Sequence, residues 1–388
     1  MDSNEVPPNF STPPPPHVPS TPPPIITPAA RAPQPKRGRG WMIFALILLA
    51  LLIISVLANF GQLVSTITRV GGGHSRIAGP RLDEAILEDN NASAKIAVID
   101  VDGIITSRAL DQSGFTMADL IKTQLERAKE DTRVKAVVLH VDSPGGEVLA
   151  SDEINRVITD FQKESKKPVV ASMGNLAASG GYYISAPCRW IVANELTITG
   201  SIGVIMHTWN YRGLMNKVGL QPQVFKSGKF KDMLSGERDL SQIPEGEREE
   251  ERRMVQGLID ETYNRFKEVV ATGRGAAHQL NENEGRALVD NWADYADGRV
   301  LSGSQAHELG FVDSLGNFQD AVKKAAELGG LGAATNANLI RYQQRHDISD
   351  LFNLFGKSEA KVVKIDLGMD TPKLQAGALY FLMPTAIP

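Results

Sequence analysis

The sequence predicts an α/β protein: a largely parallel sheet covered by helices and preceded by a single transmembrane helix. Three observations carry this. Short β-branched runs alternate with stretches of helical spacing from Lys95 onward, and βαβα order builds parallel sheets with helices on their faces. Val134 to Val141 is apolar and β-branched apart from Lys135 and His140, the pattern of a buried strand. Upstream, Trp41 to Phe60 is an apolar run broken only by Ser55 and Asn59.

Taken in order, residues 1–40 are rich in Pro, Ser and Thr, with runs at Pro13–Pro16 and Pro22–Pro24. Such a stretch cannot bury enough apolar surface to fold and is expected to be a disordered tail. It reads either as a spacer or as a Pro-rich ligand for an adaptor domain. The run at 41–60 is long enough, at about 1.5 Å per residue, to cross a hydrocarbon core of about 30 Å. Lys36, Arg37 and Arg39 precede it, so the positive-inside rule leaves the tail cytoplasmic and the rest of the chain extracytoplasmic. A cleaved signal peptide is the competing reading, with Val56-Leu57-Ala58 as the cleavage site. The long apolar stretch and the long tail before it favour an anchor.

Residues 61–94, containing Gly71–Gly73, read as a linker. Residues 95–330 read as the folded domain. Strands are expected at Lys95–Val101, Val134–Val141, Pro168–Met173, Trp190–Ala193, Ser201–Ile205 and Gln223–Phe225. Helices are expected at Met117–Lys129, Glu147–Phe161 and Glu247–Thr272, with a short βα tail over 299–328. Residues 331–388 form a C-terminal extension of no clear pattern, a candidate oligomer contact. Its apolar run Leu379–Met383 reads as an edge or interface strand.

The charge balance narrows the partners. With 41 basic and 45 acidic residues, the balance gives no support for nucleic-acid binding, which usually shows a basic face. A lone cysteine, Cys188, excludes an intrachain disulfide, and no Cys/His metal spacing exists. Cys188 reads as core filler or, alternatively, as a reactive thiol. No nucleotide-binding glycine motif occurs.

Four constellations carry possible chemistry. Ser179 lies in GNLAASGGYY, where an apolar strand runs into a Gly-rich turn and a helix. A serine there exposes its hydroxyl at the end of a sheet, as in a nucleophile elbow, and Gly180 offers an adjacent backbone N–H. The plain alternative is a serine that caps the helix. Asp142-Ser143-Pro144-Gly145-Gly146 ends a buried strand. Its glycines either aim bare N–H groups into the ligand crevice of an α/β sheet or serve a turn that needs positive φ.

Lys231 lies in KSGKFKD. A lysine acts as a general base only when uncharged, so its ordinary value near 10.4 must fall to about 7–8 in a dry site. Three lysines crowd the segment, and a solvated basic face is the alternative. Ser201, in TGSIG, either orients a lysine amine or caps a turn. Among the histidines, His140 sits near the diglycine turn, and His207 is the one that could complete a serine–histidine pair; no aspartate is placed to orient it.

Together, DSPGGEV (142–148), GNLAASGGYYIS (174–185), TGSIGV (199–204), SGKFKD (227–232) and GRVLSGSQAHELGFVDSLG (298–316) resemble the signal peptide peptidase A family. These are membrane-bound serine peptidases of the ClpP/crotonase fold. The resemblance runs from about Lys95 to Leu328. It implies Ser179 as nucleophile, Lys231 as general base, Ser201 as the serine that holds the lysine, and Gly146, with Gly145 beside it, and Gly180 as oxyanion donors. It implies apolar and signal peptides as substrates, membrane lipid as surroundings, and no metal or cofactor. The chain carries one repeat, like the short form of the family. That form assembles into homo-oligomers in which one subunit's lysine can serve its neighbour's serine. Two rivals stand beside it: a crotonase-like acyl-CoA enzyme and a non-enzymatic membrane scaffold.

Overall fold

A computed structural model describes residues 43–53, 55, 79–110, 114–344 and 379–382. They divide between two units, 1–76 and 77–388. In the first, residues 43–53 are helical and carry mostly exposed side chains. Among the described residues no helix is long and apolar enough to cross a membrane. The proposed tail at 1–40 and the rest of the apolar run, apart from Ser55, lie outside the described residues.

The second unit is a mixed α/β fold built on a largely parallel sheet. Its strands are β1 (Leu82–Glu88), β2 (Ala94–Asp102), β3 (Val134–Ser143), β4 (Gly145–Glu147), β5 (Val169–Ala178), β6 (Trp190–Ala193), β7 (Ile198–Gly200), β8 (Ile205–Met206), β9 (Val300–Ser302), β10 (Ser314–Leu315), β11 (Ala337–Gln344) and β12 (Leu379–Leu382). Its helices are α1 (Met117–Glu130), α2 (Val148–Ser165), α3 (Gly180–Ser185), α4 (Arg212–Lys217), α5 (Glu245–Leu280), α6 (Gly303–Glu308) and α7 (Phe318–Leu328).

The main sheet runs β1-β11-β2-β3-β5-β6-β10, with β7 paired to β5 and β9 to β7. All contacts from β11 to β10 are parallel, and β5–β7 is parallel too. The outer pairs β1–β11 and β7–β9 are antiparallel. Alternate residues of each inner strand face opposite layers. Ala97, Ile99, Val137 and Leu139 pack with Ile121 and Leu125 of α1 and Ile154 and Ile158 of α2. Ile96, Val98, Ala136 and Val138 pack on Ala321, Val322 and Ala325 of α7. Both faces are therefore covered, which is why consecutive residues at the centres of these strands are apolar. Thr116 and Asp119 close a capping box that starts α1. On the long helix α5, the buried apolar residues, Phe266, Val269, Val270 and Ala277, all lie in its C-terminal half.

Several expectations need correction. Leu82–Glu88, inside the expected linker, is strand β1, and residues 337–344 of the expected extension are β11. These two pair with each other, and each completes a strand edge far away in sequence. The expected strand at Ser201–Ile205 is broken. Gly200 (φ 74°) and Ser201 (φ 51°) turn the chain, leaving β7 before the turn and β8 after it. Gln223–Phe225 forms no strand; Phe225 is 94% exposed. The run Leu379–Met383 supplies β12, which is not an edge. It lies between β4 and β8 in a separate three-stranded sheet.

Candidate active site

Ser179 closes β5 and opens α3. Its backbone (φ 53°, ψ −115°) lies in a region that L-residues rarely adopt. Two backbone bonds hold it there. Its N–H donates to the Gly200 carbonyl at 2.8 Å, and its carbonyl accepts from Tyr183 N–H at 2.8 Å. Although Ser179 sits at the helix N-cap, its side chain makes no capping bond. The hydroxyl is buried without a hydrogen-bond partner. The helix-cap reading of this serine therefore fails. A buried, unpaired hydroxyl on strained backbone costs free energy, and such strain concentrates at functional sites.

The diglycine turn lies directly against it. Ser143 Oγ accepts from Gly145 N–H at 3.1 Å, and Asp142 Oδ1 accepts from Leu176 N–H at 3.1 Å. Ile105 grips the far side, donating to Gly145 O (2.9 Å) and accepting from Glu147 N–H (2.8 Å). Gly145 has φ 99°, as the turn reading requires. The close approach is also a steric requirement. A Cβ on Gly180 would stand 3.0 Å from Gly145 Cα and 3.0 Å from Gly146 N, and one on Gly146 would stand 1.8 Å from Ile105 O. The Gly145–Gly146 backbone thus packs against Gly180, the residue that follows Ser179.

Ser201 comes to the same place by strand pairing. Ala178 pairs with Gly200 in the parallel β5–β7 ladder, so Ser179 and Ser201 follow paired residues. Both have positive φ, and both are buried. Thr199 Oγ1, donating to Ala177 O at 2.7 Å, and Thr197 Oγ1, donating to Gly174 O at 2.8 Å, pin the short strand in register.

Lys231 is not brought to these groups within one chain. It is exposed, and the Ser179 hydroxyl has no bond to it. Its neighbours are engaged elsewhere: Lys226 pairs with Asp232 at 2.7 Å and Lys229 with Glu250 at 2.9 Å. His207 is exposed beyond β8. His140 packs edge-on against Phe318, on the layer of α7. Cys188 is buried, and burial pushes its thiol up to about 12, so it is core filler and inert at neutral pH. Among the described residues no group of His, Cys, Asp and Glu could hold a metal ion.

Three contributors escape a reading of the sequence. Ile105 clamps the diglycine turn from a segment with no motif. Phe266 of α5 packs on Tyr183 of α3 at 4.9 Å between ring centroids. Phe381 of β12 stacks on Tyr183 at 4.7 Å. The apolar run Leu379–Met383 was the only available signal for the last.

Comparison with known proteins adds a family. The model for peptidase family S49 matches residues 161–332. The chain is 41% identical over 237 residues to "Putative protease slr0021" of Synechocystis sp., spanning 61% of this chain and 75% of that protein. It is 34% identical over 305 residues to "Putative signal peptide peptidase SppA" of Enterococcus faecium, spanning 77% of this chain and 81% of that protein. Protease 4 of Haemophilus influenzae is 36% identical over 242 residues, which span 62% of this chain and 36% of the longer protein. The chain belongs to peptidase family S49, the signal peptide peptidase A family of serine endopeptidases.

Proposed function

We propose that this chain is a membrane-anchored endopeptidase of ClpP/crotonase fold that cleaves apolar peptides, signal peptides among them, with a Ser179–Lys231 dyad. The observation that carries the reading is the Ser179 hydroxyl, buried and unpartnered on strained backbone beside Gly146 and Gly180. In the reaction, uncharged Lys231 takes the Ser179 proton while Oγ attacks the peptide carbonyl. Gly146 and Gly180 N–H donate to the oxyanion, each such donor being worth about 3–4 kcal/mol in the transition state. The lysine returns the proton to the leaving amine. It then takes a proton from the water that cleaves the acyl-enzyme, and Ser179 recovers its hydrogen. Ser201, beside Ser179, accepts a hydrogen bond from the lysine amine and orients it.

The lysine is proposed to come from a second copy of the chain. Two features support this. Lys231 is exposed and unbonded to Ser179 in the single chain, and exposed apolar residues crowd the segment around it: Trp209 at 71%, Val218 at 70% and Phe225 at 94%. Burying them in a homo-oligomer would also provide the dry surroundings an uncharged lysine needs. The apolar run at 41–60 is proposed as the anchor, with residues 1–40 cytoplasmic and 95–330 as the peptidase domain on the far side of the membrane.

The test is digestion of a labelled signal peptide by the wild-type chain, Ser179→Ala, Lys231→Ala and co-assembled mixtures of the two variants. Each variant alone is expected to be inactive and the mixture active. A mixture without activity contradicts sharing of the dyad between subunits; an active Ser179→Ala chain contradicts the nucleophile. Turnover of a CoA ester in place of peptide would favour a crotonase-like enzyme, and a chain that neither turns over nor labels at Ser179 would be a scaffold.

A further inference from the structure

We propose that Arg238 is a positioning residue for Lys231. It holds the segment that carries the lysine on α5 and compensates the neighbouring Asp232 carboxylate, so that the amine can lose its charge. The inference rests on the reading of Lys231 as the base delivered to the Ser179 of a second copy, and it adds what delivers it.

The anchoring follows from how α5 is buried. Its buried apolar residues start at Phe266, and the one buried residue before them is Glu251. The partner of Glu251 is Arg238. Arg238 Nη1 donates to Glu251 Oε1 at 2.7 Å, and Nη2 lies 3.5 Å from Glu247 Oε1, one helical turn earlier. Arg238 and Glu251 are each 8% exposed. The N-terminal half of α5 thus offers a buried charge rather than a buried apolar side chain. A buried ion is costly unless it is paired with good geometry, so the Arg238–Glu251 pair fixes where the segment sits on the helix. Lys229, paired with Glu250 at 2.9 Å, adds a more exposed tie to α5.

The same guanidinium also reaches the residue after Lys231. Its Nε lies 3.4 Å from Asp232 Oδ2, while Lys226 Nζ donates to Asp232 Oδ1 at 2.7 Å. The hydrogen bond from Lys226, with the Arg238 charge beside it, holds the Asp232 carboxyl below the usual carboxylate range. An uncompensated carboxylate next to Lys231 would favour the charged amine; two cations on that carboxylate offset the bias. The main chain is braced as well. Asn210 Nδ2 donates to Arg238 O at 3.0 Å, and Tyr211 N–H to Gly236 O at 2.8 Å. A Cβ on Gly236 would stand 2.3 Å from Trp209 O, so the segment closes tightly on residues 209–211. Of the cations at 226–238, Lys226, Lys229 and Arg238 are each paired. Among the described residues Lys231 has no such partner and is exposed, as a base to be delivered elsewhere requires.

Peptide cleavage by mixed assemblies of the full-length chain separates positioning from support of the fold. Arg238→Met is expected to lower kcat about tenfold or more with KM within about twofold, because the base is displaced and the substrate contacts are not. The rising limb of its pH–rate profile should move up by about one pH unit as Asp232 loses a counter-charge. Arg238→Lys, which keeps the charge, should recover part of both. Mixed with Ser179→Ala chains, which lend an intact Lys231 segment, Arg238→Met chains should reach the activity of the Ser179→Ala plus Lys231→Ala mixture. A Ser179→Ala/Arg238→Met double variant mixed with Lys231→Ala should stay about tenfold or more below that level, since the only Lys231 present sits on the displaced segment. Equal activity of these two mixtures overturns the positioning role, as does an Arg238→Met chain with the kcat and pH limb of wild type. Folded Arg238→Met chains that Ser179→Ala chains cannot rescue overturn it too, by showing a defect not confined to the lysine. If Arg238→Met fails to fold, the same pairings with Arg238→Lys read the contrast. An inactive Ser179→Ala plus Lys231→Ala mixture would instead sink the sharing of the dyad, and the kcat and pH limb of unmixed Arg238→Met would still decide the role of Arg238.

Discussion

Replacing Ser179 separates a strained nucleophile from a structural turn residue by the sign of the stability change. The backbone at φ 53°, ψ −115° is tolerated by glycine and strained for any residue with a Cβ, at about 1–3 kcal/mol. Ser179→Gly relieves that strain and gives back about 0.4–1 kcal/mol through the freer unfolded chain. Ser179→Ala keeps the strain and removes only the unpartnered hydroxyl. The glycine variant should therefore be more stable than the alanine variant by about 1–2 kcal/mol, a melting difference of roughly 2–8 °C at this size. Alanine itself should cost nothing relative to serine, because no capping bond is lost. A working N-cap would instead lose about 0.5–2 kcal/mol on the same change. Urea midpoints and thermal melts of the three proteins read both comparisons. A glycine variant no more stable than alanine, or an alanine variant less stable than wild type by a kilocalorie, refutes the strain argument.

Three other outcomes follow from the same geometry. Gly180→Ala pushes a methyl to 3.0 Å from Gly146 N, forcing the two donors apart, so turnover should fall about 10²–10³-fold with KM little changed; an unaffected rate would remove Gly180 from the oxyanion site. Arg274 and Asp313 form an ion pair whose side chains are each 1% exposed. Arg274→Met should cost about 3–5 kcal/mol in urea unfolding by stranding a buried carboxylate, and adding Asp313→Leu should recover most of it. Burial lifts the Cys188 thiol from 9.0 to about 12, so the fold holds a proton that the unfolded chain loses. The associated stability is full below about pH 9 and declines as pH rises toward 12. At pH 8 a thiol reagent should modify Cys188 only in denaturant.

What the sequence discloses and what it conceals divide along local and distant causes. The turn at Ser179 was legible because strand, glycines and helix are consecutive, and β2, β3 and β6 were legible because burial on both faces leaves short runs rich in apolar and β-branched residues. β1 and β11 were not. Each is stabilised by the other from the opposite end of the domain, and Leu82–Glu88 mixes charged and apolar residues as an outer strand does. The break at Gly200–Ser201 was hidden by the apolar residues on both sides of it, although it is what sets Ser201 beside Ser179. Phe266 looked like one more apolar residue of a charged helix until Tyr183 and Phe381 were placed against it. The surroundings of Lys231 are the least legible of all: it is exposed in the single chain, and under the proposed reading its dry surroundings come from a second copy.

The most direct measurement is the rate and location of covalent modification by a fluorophosphonate probe on the assembled protein, read by peptide mass spectrometry across pH. The expected adduct sits on Ser179, its rate climbs between about pH 6 and 9 as the amine loses its proton, and Lys231→Ala slows it at least a hundredfold and flattens the profile. An adduct on another residue, or an unchanged profile in Lys231→Ala, would contradict the dyad.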